Sequence, residues 1–244
     1  MLCLMRTSQV RLLLMPVVMG VIFAFAFPNR DSDVAQRIAL MALVMAGFLI
    51  LLGSRSFRSD LRSDMTHLPM LKSLPLRGID LVAAEVASGA LPLASVQLLL
   101  LVVADVAMAA SARHPALLPV DVGVGALVAA PVALLGINGA MFTIFNGTAV
   151  LFPGWVRLGP TAAAGVEAMG QNLLSTVGSL LTLVLLLILP VAAGGAVFFL
   201  WRNHAGLAVA LAGNAAGLVL LVETWAILMG LGRAFDRAEP IVTA

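Results

Sequence analysis

Three carboxylates stand inside otherwise apolar stretches of this chain: Glu85, Asp105 and Glu223. A charged side chain at the centre of a bilayer costs about 2.5–3.5 kcal/mol on insertion scales, so such acids face a bundle interior or water and mark pathways. They differ in depth. Glu85 lies within two turns of Asp80 and is close enough to a polar segment to be interfacial. Asp105 falls near the outer end of its apolar run, within reach of headgroups. Glu223 is the deepest and has no obvious basic partner in sequence. Asn138, Asn146, Asn172 and Asn214 also fall within or beside apolar runs, where amides supply hydrogen bonds between helices.

Other chemistry has little support. No G-x-x-x-x-G-K-[ST] loop occurs, and the single lysine, Lys72, follows Leu71, so the chain lacks the P-loop means of binding ATP. His67, His114 and His204 are scattered among polar breaks without metal-ligand spacing, and Cys3 is the only cysteine. Neither G-x-S-x-G nor H-E-x-x-H is present. These observations speak against an enzyme, a bound metal and a cofactor held by this chain.

The elements that must position these residues follow from composition. The 244 residues are 61% hydrophobic and 11% charged, with mean hydropathy +1.09; soluble domains carry about 25% charged residues. The sequence is that of an integral membrane protein, and a net charge of +2 does not suggest nucleic acid as a partner. In lipid each backbone amide must be satisfied within its own segment, so the runs are expected to be helices. The expectation is an all-α, polytopic transmembrane bundle forming one domain over 1–244, with about six spans: 12–27, 38–53, 78–110, 122–150, 173–201 and 205–231. The first run is short, follows Arg6 and Arg11, and also fits a signal peptide. The third is long enough for its first turns to lie at the interface and for Pro92 to kink it.

Between spans two and three lies the longest polar interruption, an elbow at 54–77. Its first part, read as a helix, places Phe57, Leu61, Met65 and Leu68 on one face, with Arg58, Asp60, Arg62 and Asp64 elsewhere, which suits a helix lying on a membrane surface. Pro69 and Pro75 then bracket a turn-rich stretch before Arg77, Gly78 and Asp80 open the next helix. Such an elbow serves as a docking surface, or as a solvated loop that merely obeys topology. A second cluster, Phe152, Pro153, Trp155 and Arg157, is interfacial in character. With six spans and a cytoplasmic N-terminus, ten of the fourteen basic residues fall inside and Arg30, Arg37, Arg113 and Arg202 outside. The positive-inside rule therefore puts both termini and the elbow in the cytoplasm.

Two stretches carry a resemblance to a family. One is DLRSDMTHLPMLKSLPLRGIDLVAAEVASGALPLASVQLLLL, with Asp60, Leu61, Asp64, Leu71, Lys72, Leu74, Pro75, Leu76 and Glu85. The other is NGTAVLFPGWVRLGPTAAAGVEAMGQNLLSTVG, with Asn146, Phe152, Pro153, Trp155, Val156, Arg157, Leu158, Gly159, Glu167, Gly170 and Gln171. Together they cover about a third of the chain. They resemble the second half of a family of ABC exporter permeases related to the ABC-2 type transporters.

The resemblance implies a permease subunit of an ATP-driven exporter in the cell (inner or plasma) membrane, surrounded by lipid. ATP and Mg would be bound by a separate ABC-type ATPase chain docked on the elbow, with Asp60, Leu61, Asp64, Leu71, Lys72, Leu74, Pro75, Leu76 and Arg77 as the contact. Members of the family commonly have another membrane half ahead of this one. The chain is then expected to be a half-size or truncated member that pairs with itself or a related half. Two alternatives of other classes stay open: a proton-coupled secondary transporter using Glu223, and a non-transporting membrane scaffold. No inverted repeat supports the former.

Overall fold

A computed structural model describes residues 34–53, 70, 73, 75–110, 119–152 and 166–237, and among them regular structure is helical with no strand. The elements are α1 (Val34–Phe48), continued by a π-helical turn (Leu49–Gly53), α2 (Gly78–Ala109), α3 (Val120–Leu151), α4 (Val166–Leu186), α5 (Ile188–Trp201) and α6 (Ala205–Arg237). Four stretches are long and apolar enough to cross a membrane: α2, α3, Leu173–Trp201 across α4 and α5, and α6. This is a helical membrane protein. The expected first span, 12–27, and the elbow from 54 to 69 lie outside the described residues, and the run expected at 38–53 is a shorter apolar helix, α1.

Proline does not interrupt α2 or α3. Pro92 lies within α2 and Pro131 within α3, both uninterrupted at 32 residues. The lost amide bond is a local cost that neighbouring side chains offset; beside Pro92, the Ser95 hydroxyl donates to the Leu91 carbonyl at 2.8 Å. The span expected at 173–201 is present as one apolar stretch, with the helix interrupted only at Leu187. Leu187 N–H still donates to Leu183 O (2.9 Å) and Val191 N–H to Leu187 O (3.0 Å), but Pro190 has no N–H for the Leu186 carbonyl. Two further boundaries differ from the sequence reading. Helix α4 already begins at Val166, and α6 runs on to Arg237 through residues expected in a polar tail.

α3 lies at the centre, packed against α6, α2 and more lightly α4, while α6 also meets α5 and α2, and α1 rests on α2. α3 and α6 run parallel, as three contacts along their length show. The carbonyl of Gly206 blocks the place of a side chain on Gly125. A Cβ on Gly136 would sit 3.1 Å from Gly217 O, and one on Gly147 would sit 3.4 Å from Leu231 Cδ1. Lipid tails are as apolar as leucine, so helices associate in membranes through close packing and polar bonds, and small residues let the backbones approach. α2 runs antiparallel to α3. Its Gly89 receives the Phe142 ring, and the Asp105 carboxylate lies against Gly123. Val82, Val86, Ala90 and Leu93 of α2 join Phe142 of α3 and Leu228, Leu231 and Phe235 of α6 in the main apolar core.

The two ends of this three-helix unit are fastened by carboxylates. At one end Asp121 of α3 accepts from the Gly206 amide of α6 at 3.2 Å. At the other, Asp236 of α6 accepts from the Gly78 amide of α2 at 2.8 Å. The end of the elbow and the end of α6 are therefore on one side of the bundle, and the 202–204 turn is on the opposite side.

Candidate functional site

Polar side chains recur in the middle parts of three spans: Gln97 on α2, Asn138 and Thr143 on α3, and Glu223 and Thr224 on α6. Gln97, Asn138, Thr143 and Thr224 are all buried, and Glu223 is half-buried. α2 and α3 are joined here by the Asn138 amide, which donates to Gln97 Oε1 at 2.6 Å and to the Leu134 carbonyl at 2.8 Å. That is the bond between helices expected of a membrane asparagine. Asn214, further up α6, reaches the Val128 carbonyl of α3 at 3.4 Å as well as Ala210 of its own helix at 2.9 Å.

These side chains are only half satisfied. Gln97 Nε2, Asn138 Oδ1, Thr143 Oγ1, Thr224 Oγ1 and Glu223 Oε2 are buried without a hydrogen-bond partner among the described residues. Leaving such an atom unpaired costs about 1–3 kcal/mol. Thr143 and Thr224 have the same sequence offset across the α3/α6 seam as the Gly125–Gly206 and Gly136–Gly217 pairs. Beside them a Cβ on Gly139 would meet only Thr224 Cγ2, at 3.7 Å. The seam is tight at those pairs and looser here.

Glu223 projects from a different face of α6. Gly194 of α5 packs against Ala212 and Ala216. Leu220, four residues after Ala216, joins a cluster with Ala140, Met141 and Ile144 of α3 and Leu183 of α4. Glu223, seven residues after Ala216 and three after Leu220, continues that stripe. It is thus on the side of α6 that Ala212 and Ala216 turn towards α5.

The other sequence-derived residues are distributed as follows. Asp60, Leu61, Asp64, Leu71, Lys72, Leu74, Pro153, Trp155, Arg157 and Gly159 lie outside the described residues. Pro75, Leu76 and Arg77 lead into α2. Leu76 is 57% exposed, and Arg77 forms an ion pair with Asp80 at 2.9 Å. That hydrogen bond and charge raise the Arg77 guanidinium above its ordinary value. Phe152 follows the last residue of α3 and is half exposed. Asn146 is interior instead: it is fully buried within α3 and donates to the Phe142 carbonyl at 2.9 Å. Glu85 and Asp105 are half-buried towards opposite ends of α2, about 30 Å apart at 1.5 Å per residue. The two acids of α2 thus share no site.

Sequence reasoning singled out Glu223 and Asn138 and missed Gln97, Thr143 and Thr224. Each of the missed residues is a polar side chain within an apolar run, the signal that identified Asn138. Among the described residues no group of three or more His, Cys, Asp or Glu is placed to hold a metal ion. No protein-family model, no curated protein and no solved structure matches the chain.

Proposed function

We propose that this chain is the membrane-spanning permease subunit of an ATP-driven exporter of the ABC type. In this reading it sits in the cell membrane with both termini and the 54–77 elbow in the cytoplasm. A separate ATPase chain docks on the elbow, and a second permease half completes the path. The resemblance of the elbow and of the 146–171 stretch to ABC exporter permeases suggests it. The observation that supports it best is the join between elbow and bundle. Exposed Leu76 and Arg77 lead directly into Gly78, whose amide is held by Asp236 of α6. A push on the elbow would thus act on α2 and α6 together, the helices that carry Gln97, Glu223 and Thr224.

Replacing Leu74 and Leu76 together with serine tests this. Apolar contact area is worth about 25 cal/mol per Å² before ordering costs, so the variant should lose ATPase copurification and export while inserting normally. Copurification and export at wild-type levels would refute the docking role. A stoichiometric partner without nucleotide hydrolysis would favour the scaffold.

A second reading, proton-coupled secondary transport through Glu223, is favoured by the buried Oε2 of that residue, unpartnered among the described residues. Glu223→Gln should abolish uptake driven by a pH gradient under this reading and leave ATP-driven export intact under the first.

A further inference from the structure

Hydroxyl side chains on these helices share a habit. Ser88, Ser95, Thr148, Ser179 and Thr182 each donate to a carbonyl three or four residues earlier in their own helix, at 2.7–2.8 Å. Such a bond satisfies a hydroxyl whatever the helix packs against, because the acceptor comes with the helix. Thr143 of α3 and Thr224 of α6 depart from the habit, although they are only 1% and 4% exposed. Both Oγ1 atoms are buried without a partner among the described residues, a state that costs more than the local bond would recover.

The two threonines belong to the α3/α6 seam at a point where the seam has room. Elsewhere its glycines are closed by the facing helix: a Cβ on Gly217 would sit 2.8 Å from Ala133 N, and one on Gly136 would sit 3.1 Å from Gly217 O. At buried Gly139 a Cβ would find one atom within 4 Å among the described residues, Thr224 Cγ2 at 3.7 Å, and its surroundings are otherwise unfilled. Thr143 follows Gly139 by one helical turn and lies on the same face. The contacts of Gly136 with Leu220 and of Gly147 with Leu231 bracket it, so Thr143 stands opposite the turn of α6 that begins at Thr224.

We propose that the space beside Gly139 is a binding site for one ordered water molecule, which bridges the hydroxyls of Thr143 and Thr224 and so joins α3 to α6. A threonine hydroxyl both donates and accepts, and a buried water typically makes about 2–4 hydrogen bonds to polar groups that are otherwise unsatisfied. Apolar cavities of this size stay dry, whereas one lined by two unpaired hydroxyls offers water the partners it needs. The site holds whether or not the chain is an exporter, because it rests on the seam alone.

The test uses the full chain in lipid nanodiscs and has two arms. A density map that resolves waters should show a peak within hydrogen-bond distance of both Oγ1 atoms. Gly139→Ala, which fills the space, should remove the peak, and Thr224→Ser, which keeps the hydroxyl, should retain it. In thermal unfolding the sign decides. Valine matches the shape of threonine without its hydroxyl, so Thr143→Val and Thr224→Val should each lower the melting temperature, by about 2–4 °C if one hydrogen bond is lost. Because the two residues share one water, the double variant should lose less than the sum of the single losses. In a dry seam the same substitutions would remove unpaired hydroxyls and raise the melting temperature. The proposal is overturned by that rise, by a map without the peak, or by one in which the hydroxyls turn to the Gly139 and Leu220 carbonyls of their own helices.

Discussion

Asp236 caps a helix it does not belong to: its Oδ1 accepts from the Gly78 amide at 2.8 Å, across 158 residues of sequence. Arg77, the residue at the N-cap of α2, makes no side-chain capping bond. The carboxylate of α6 therefore takes the place that a local Ser or Asp usually fills. Close by, Gly232 admits the backbone of Ile79, so the cap and the close packing depend on each other.

Asp236→Ala should lower stability by about 1 kcal/mol, the usual cost of a lost N-cap, and should loosen the elbow end of α2 in hydrogen exchange. Asp236→Asn keeps an acceptor and loses only the charge–dipole part, about 0.3–1 kcal/mol. Equal stability of the alanine variant and wild type in a detergent unfolding titration would show that the bond contributes nothing.

The seam between α3 and α6 predicts opposite signs for two glycines on one helix. A Cβ on Gly217 would sit 2.8 Å from Ala133 N, and one on Gly230 would meet nothing within 4 Å. Gly217→Ala should therefore destabilise by forcing two backbones apart. Gly230→Ala should stabilise by about 0.5–1 kcal/mol from helix propensity alone. Thermal unfolding of the two variants side by side decides this.

Asn138→Leu should cost about 1–3 kcal/mol, because it leaves both polar ends of Gln97 buried and unpaired. Adding Gln97→Leu should recover most of the loss, since two apolar partners strand nothing. A double-mutant cycle checks this, and additive losses would mean that the two amides are not coupled.

For the proposed orientation, single cysteines at Ser73 and Asn203 in a Cys3→Ser background should differ towards a membrane-impermeant thiol reagent. Asn203 should be labelled in intact cells and Ser73 only after permeabilisation. The reverse pattern would put the elbow on the outer side.

Much of the helical layout was legible because hydropathy registers length and apolarity directly. Gly78–Ala109 and Val120–Leu151 fall within two residues of the stretches expected from the sequence. Prolines were harder to read, because their effect depends on neighbours. Pro92 and Pro131 sit inside unbroken helices, whereas Pro190 follows the one-residue interruption at Leu187. The polar residues of the spans were half legible. Glu223 announces itself by charge and Asn138 by its amide. Gln97 gains its partner only when α3 brings Asn138 against it, and nothing local to Gln97 encodes that. Asp236 could not be assigned a partner from sequence, because helix periodicity does not say which helix ends meet.

The parallel pairing of α3 and α6 also sets an order of biosynthesis. The Asp121–Gly206 contact spans 85 residues, so at about 5–20 residues per second the glycine stripe of α3 leaves the ribosome several seconds before its partner exists. During that interval α3 can be covered only by α2, by lipid or by an insertion chaperone, and α4 and α5 must enter the membrane without displacing it. A nascent chain arrested before Ala205 should accordingly be inserted yet sensitive to membrane-quality-control proteases, and should become resistant once α6 has been released.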